Sequence, residues 1–143
     1  MTAALRIVLG LLGLAAISIA SSIFALGAEW TAATAERVFQ AVTGYSGPPS
    51  GHWPPSMDSE LRFYAALWGA YGLILIMTAG DLTRQMKRVP WLAAVFFVGG
   101  VGRVVSFLQL GAPHPFFVLL MAIELLLPVV ILALWFNVSR HTA

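Results

Sequence analysis

The sequence predicts an all-α fold: a polytopic membrane four-helix bundle with both termini on the cytoplasmic side. Three observations predict it. First, 59% of the 143 residues are hydrophobic and only 10% are charged, too few to cover a water-facing surface. Second, four apolar segments, about 5–28, 61–79, 90–110 and 116–137, match the roughly 20 helical residues that cross a hydrocarbon core of about 30 Å. In lipid such segments must satisfy their own backbone hydrogen bonds, which makes them helices. Third, the positive charges are asymmetric. On a four-span threading Arg6, Arg84, Lys87, Arg88 and Arg140 fall on one side and Arg37 and Arg62 on the other. The richer side is assigned to the cytoplasm. The expected location is the cell inner membrane as a multi-pass protein, with the lipid bilayer as its first partner. One domain, 1–143, is expected.

Segment one carries a stripe of small residues, Gly10, Gly13, Ala16 and Ala20, which reads as a helix-packing face. "ALGA", Ala25 to Ala28, also resembles a signal-peptide cleavage site. Its apolar run is longer than the roughly 7–15 residues of a signal core, which favours a retained span.

The outer loop, 29–60, falls into two parts. In "AEWTAATAERVFQAVTG" Trp30, Ala33, Val38 and Ala41 share one side and Glu36 and Arg37 the other. This predicts a short interfacial helix or an extension of segment one. "YSGPPSGHWPPS" follows, with four prolines and two glycines. Regular structure is excluded there, leaving a strap over the outer face.

Segment two opens "ELRFYAALWGAYG", and Glu60, Tyr64, Trp68 and Tyr71 lie within about a quarter turn of one another at helical spacing. A polar, aromatic stripe of this kind predicts a cavity or a buried network, with Glu60 at its mouth. Arg62 points away, toward Asp58 or the headgroups.

Segment three contains "VFFVGGVGRVVSFLQLGAPHP", with a permanent charge at Arg103 amid apolar residues and glycine. Gly99, Arg103 and Ser106 follow i, i+4, i+7, with Gly102 beside them, so the arginine is placed on a face where another helix approaches. It lies about seven residues below Leu110, or roughly 10 Å.

In segment four Glu124 lies about eight residues from the outer start, or roughly 12 Å. The short "GAPHP" turn makes segments three and four antiparallel neighbours, so Glu124 is the expected partner of Arg103. Phe117, Met121, Pro128 and Trp135 share its side. Pro128 has no N–H, which frees the Glu124 carbonyl as a second acceptor for the guanidinium. Trp30, Trp53, Trp91 and Trp135 stand near segment ends as interface anchors.

Several function classes drop out. There is no cysteine, which removes disulfides, iron–sulfur clusters and thiolate catalysis. His52, His114 and His141 lie in separate polar segments, against a multi-histidine metal site; His114 reads as an exposed turn residue. Basic residues form no stripe for nucleic acid. No nucleophile elbow, phosphate loop or dinucleotide fingerprint is present. No cofactor is expected, and an isomerase or hydrolase built from Glu60, Glu124 and His114 is the remaining enzymatic reading.

Intramembrane charges cost about 2.5–3.5 kcal/mol each on insertion scales and usually pair. The pair therefore has three readings: a structural staple, the polar floor of a pocket, or part of a proton- or ion-coupled path. The leading expectation is a non-enzymatic binding module. It would hold a lipophilic small molecule or a partner subunit over Arg103 and Glu124, with Tyr64, Trp68, Tyr71 and Ser106 around it and Glu60 at the rim. A small oligomeric transporter, and a purely structural subunit of a membrane complex, are the alternatives.

"ELRFYAALWGAYGLIL" followed by "RVPWLAAVFFVGGVGRVVSFLQLGAPHP" resembles the bacterial domain-of-unknown-function family 4345. The most specific part is the G-G-x-G-R-x-x-S core, Gly99 to Ser106. The architecture alone is similar to that of DoxX-type membrane proteins. The resemblance implies four spans and supplies no activity, substrate or site residue.

Overall fold

The computed structural model describes residues 2–140, and among these the chain is helical with no strand. The helices are α1 (Thr2–Leu26), α2 (Ala28–Thr43), α3 (Pro55–Gly80), the four-residue α4 (Leu82–Gln85), a 3-10 turn (Met86–Arg88), α5 (Val89–Leu110) and α6 (Pro115–Arg140). Four stretches are long and apolar enough to cross a membrane: α1, α3, α5 together with α4 and the turn before it, and α6. They suggest a membrane protein. His141 lies outside the described residues.

The long helices form two antiparallel pairs, α1 with α3 and α5 with α6. Glycine sets the first. A Cβ on Gly13 would come within 2.8 Å of the Gly72 carbonyl oxygen, and a Cβ on Gly72 within 2.8 Å of that of Gly13. The two backbones thus touch, the approach that small residues permit between apolar helices. Gly13, Ala16 and Ala20 are buried along this seam, but Gly10 has open space where its Cβ would be.

The pairs meet at the end carrying Arg84, Lys87 and Arg88, here called the basic end. The core there joins Leu5 and Leu9 at the start of α1 to Leu75, Val89, Ile131 and Val138. Trp135 Nε1 donates to the Met86 carbonyl at 3.0 Å and pins α6 to the turn before α5. Between the two pairs, α3 and α5 touch little along their length. Among the described residues one polar link crosses between them, the Tyr71 hydroxyl donating to the Leu92 carbonyl at 2.8 Å.

At the strap end the chain breaks at Gly27, whose φ of 95° is open to glycine at little cost. Asp58 of α3 accepts from the Ala28 amide at 3.0 Å, and Arg62 donates to the Phe24 carbonyl and to Asp58. One ion pair thereby satisfies groups left over on both sides of the break. α2 is consequently a separate helix, and it runs from α1 toward the start of α6, where Phe39 packs edge-on against Phe116.

The sequence put Glu36 and Arg37 together on one side of this segment, and the structure parts them: Arg37 is exposed and Glu36 is buried. Glu36 is 2% exposed, whereas Trp30 is 48% and Val38 60% exposed. Glu36 turns inward because the strap supplies donors: it accepts from the Ser50 amide at 3.0 Å and from the Ser50 hydroxyl. Glu29 accepts from His52 Nδ1 at 2.6 Å and from the Trp53 amide. An apolar outward face on α2 suits apolar surroundings, as the spanning-length helices do.

Candidate functional site

Arg103 owes its position to a glycine one turn earlier. A Cβ on Gly100 would come 3.0 Å from both the carbonyl carbon and the Cβ of Glu124, so α5 lies directly against α6 at the carboxylate. Arg103 Nε then donates to Glu124 Oε2 at 2.6 Å, a short charge-assisted bond. The bond goes to the carboxylate; the Glu124 carbonyl ahead of Pro128 receives none from the guanidinium among the described residues. The pairing is single-toothed and lopsided. The Glu124 side chain is 11% exposed and that of Arg103 38%. The Nη groups of Arg103 have no hydrogen-bond partner among the described residues. The guanidinium carbon lies 6.0 Å from the Phe117 ring centre, at the limit of a cation–π contact.

The open face of Arg103 borders a cavity of about 1030 Å³ between α3 and α5. Its wall on α3 is aromatic. Trp68 is stacked between Tyr71 (5.1 Å, 16°) and Phe96 of α5 (5.9 Å, 25°). Tyr64, Ser106 and Glu124 complete its polar features. The exposed side chains of Leu67 and Val95 are also part of its lining, so it opens sideways between the two helices. A second cavity of about 430 Å³ lies toward the strap. Ser50 and Trp53 border it from the strap, and Pro113, His114, Phe117 and Met121 from the other side. Arg103 and Ser106 border both.

Of the residues the sequence singled out, Arg103, Glu124, Tyr64, Trp68, Tyr71 and Ser106 therefore surround one space. Glu60 does not. It is exposed near the start of α3 and lines neither cavity, although its neighbour Leu61 lines the larger one. Nor do Gly99 and Gly102 mark a helix contact. Both have open space where a Cβ would be and both line the large cavity; the close approach is at Gly100, about 100° around the helix from Gly99. His114 is not an exposed turn residue either. It is half-buried, accepts from the Phe116 amide at 3.2 Å through Nδ1, and packs against the Tyr45 ring at 5.0 Å.

Phe96 escaped the sequence reading although its signal was present. Phe96, Gly99, Arg103 and Ser106 are spaced three, four and three residues apart, one continuous helical face. Ser50 and Trp53 carried no such signal, since the strap has no period to read.

Among the groups lining the cavity, the Arg103 Nη groups and the Trp68 indole N–H can only donate, the Tyr64 and Ser106 hydroxyls can donate or accept, and Glu124 keeps one carboxylate oxygen free.

A family model described as Domain of unknown function (DUF4345) matches residues 4–135, and the chain belongs to that family. No curated protein matches it, and no solved structure does.

Proposed function

With membership of that family as the premise, we propose that the chain is a non-enzymatic binding module of the cell inner membrane. It is read as a multi-pass four-helix bundle, with both termini and the Arg84–Arg88 turn in the cytoplasm and the strap on the outer side, by the excess of Lys and Arg. Its ligand is a lipophilic small molecule, with the apolar part between α3 and α5 and a polar head, a carbonyl or carboxylate, at Arg103. One observation carries the reading: Glu124 engages only Nε of Arg103, while the rest of the guanidinium faces a cavity of about 1030 Å³. A pair serving only as a staple would satisfy more of its donors.

Native mass spectrometry of the gently extracted protein tests this, with released small molecules identified. A stoichiometric lipophile, lost from Arg103→Met protein that still folds, is the expected result. A chain carrying no specific ligand turns the reading toward a structural subunit of a membrane complex. A small carrier is the second reading, because Arg103 and Ser106 border both cavities and so stand between a sideways opening and the strap. It predicts pH-dependent solute movement in vesicles, abolished by Glu124→Gln.

A further inference from the structure

Resting on that reading of the cavity, we infer that the head group it takes is uncharged and carbonyl-bearing: an ester, amide or ketone on a long apolar chain, not a fatty carboxylate. The charge balance of the site points there. Arg103 and Glu124 are its two charged residues, one of each sign, joined at 2.6 Å. An ionised carboxylate entering beside them would leave water with no free counter-charge, and Glu124 would repel it. A carbonyl brings no such penalty. It accepts hydrogen bonds, which the site has to give.

The donors also have a direction. Nε is spent on Glu124, so the Nη groups are left for the ligand. Ser106 stands one turn further along α5 and borders both cavities, as Arg103 does. The Trp68 indole N–H carries no hydrogen bond among the described residues and is not sealed away. Gly99 and Gly102 leave room beside the guanidinium that any larger side chain would fill. The head group rests where the two cavities adjoin, below Ser50 and Trp53 of the strap, and the chain lies along the aromatic wall of α3. The smaller cavity has no acidic lining residue, and its one histidine, His114, accepts the Phe116 amide at Nδ1, so the repulsion that decides against an anion comes from Glu124 alone.

This dependence on one carboxylate makes the inference sharp. With Glu124→Gln the arginine loses its counter-charge, and the preference must reverse toward the anion.

The experiment uses the full chain in mild detergent and three probes of equal chain length: methyl palmitate, palmitate at a pH where it is ionised, and hexadecanol. Dissociation constants are read by titration in native mass spectrometry. The expected wild-type order is ester first, with palmitate weaker by about tenfold, and Glu124→Gln places palmitate ahead of the ester. Palmitate binding the wild type as well as the ester does overturns the inference. So does an unchanged order in folded Glu124→Gln protein; if that variant does not fold, the wild-type order decides. Diacylglycerol and phosphatidylglycerol then separate a free neutral lipid from a bilayer phospholipid. Displacement of the ester by the first and not the second supports the inference, and the opposite pattern overturns it. Failure looks different for the underlying reading: no probe binds, or all bind Gly102→Leu as well as they bind the wild type.

Discussion

The seam between α1 and α3 and the gap between α3 and α5 are both built with glycine, and they use it in opposite ways. At the seam Gly13 and Gly72 let two backbones touch. In the gap Gly99 and Gly102 face open space. A glycine on an apolar helix reports only that volume has been left out. What takes that volume is decided by the partner, here a helix in one case and a cavity in the other. Lipid supplies no hydrophobic drive to close such a gap, since lipid tails are as apolar as the helices.

The strongest way to break the comparison is to fill the seam. Gly13→Leu places a branched side chain where even a Cβ meets the Gly72 carbonyl oxygen at 2.8 Å. A loss of about 3 kcal/mol or more is expected, read as reduced folded yield or a lower unfolding midpoint in detergent. A wild-type midpoint would show that the seam is not tight.

Arg103→Met comes next. It strands the Glu124 carboxylate against α5, at a cost of about 3 kcal/mol, and the double change with Glu124→Gln should recover most of it. The same unfolding series checks this, and a double variant no milder than the singles would remove the direct coupling.

Filling the gap should do the reverse of filling the seam. A Cβ at Gly102 meets nothing within 4 Å, and Gly102→Leu gains helix propensity of up to about 1 kcal/mol, so stability is expected to hold or rise while a bound lipophile is lost. Destabilisation comparable to that of Gly13→Leu would mean that the two regions are not different after all.

The smallest effect concerns α3 itself. The Thr78 hydroxyl is buried with no hydrogen-bond partner among the described residues. Thr78→Val keeps its shape, and a gain of about 1 kcal/mol is expected, visible as a small rise in the unfolding midpoint.

How much of this was legible in the chain depends on what each feature rests on. The four long helices rest on hydropathy and length, which are local, and the sequence shows them. The start of α3 at Pro55 is harder, because "PSMDSE" is polar and follows a proline-rich run, so it reads as loop; proline is in fact suited to the first turn of a helix. The neighbourhood of Arg103 and Glu124 is readable because a short turn fixes their relative depth. The stripe of Tyr64, Trp68 and Tyr71 points to a cavity or a buried network without choosing between them. The choice depends on how far apart α3 and α5 stand, a property of whole helices and not of any motif. Glu36 misleads for a further reason. Helical spacing groups it with Arg37, but the strap, which has no period to read, supplies the donors that draw Glu36 in.

The break at Gly27 has a consequence for the order in which the molecule is made. The groups that finish it, Asp58 and Arg62, belong to α3, and the Asp58 bond to the Ala28 amide spans 30 residues of sequence. While the ribosome is still synthesising the strap, α1 and α2 have neither of these partners. Both partners come only with the start of α3, which follows the strap that Glu29 and Glu36 hold through His52 and Ser50. The cover over the strap end is thus completed by a part of the chain that follows it. An Asp58→Ala change is expected to leave α2 and the strap accessible to protease while the four long helices remain.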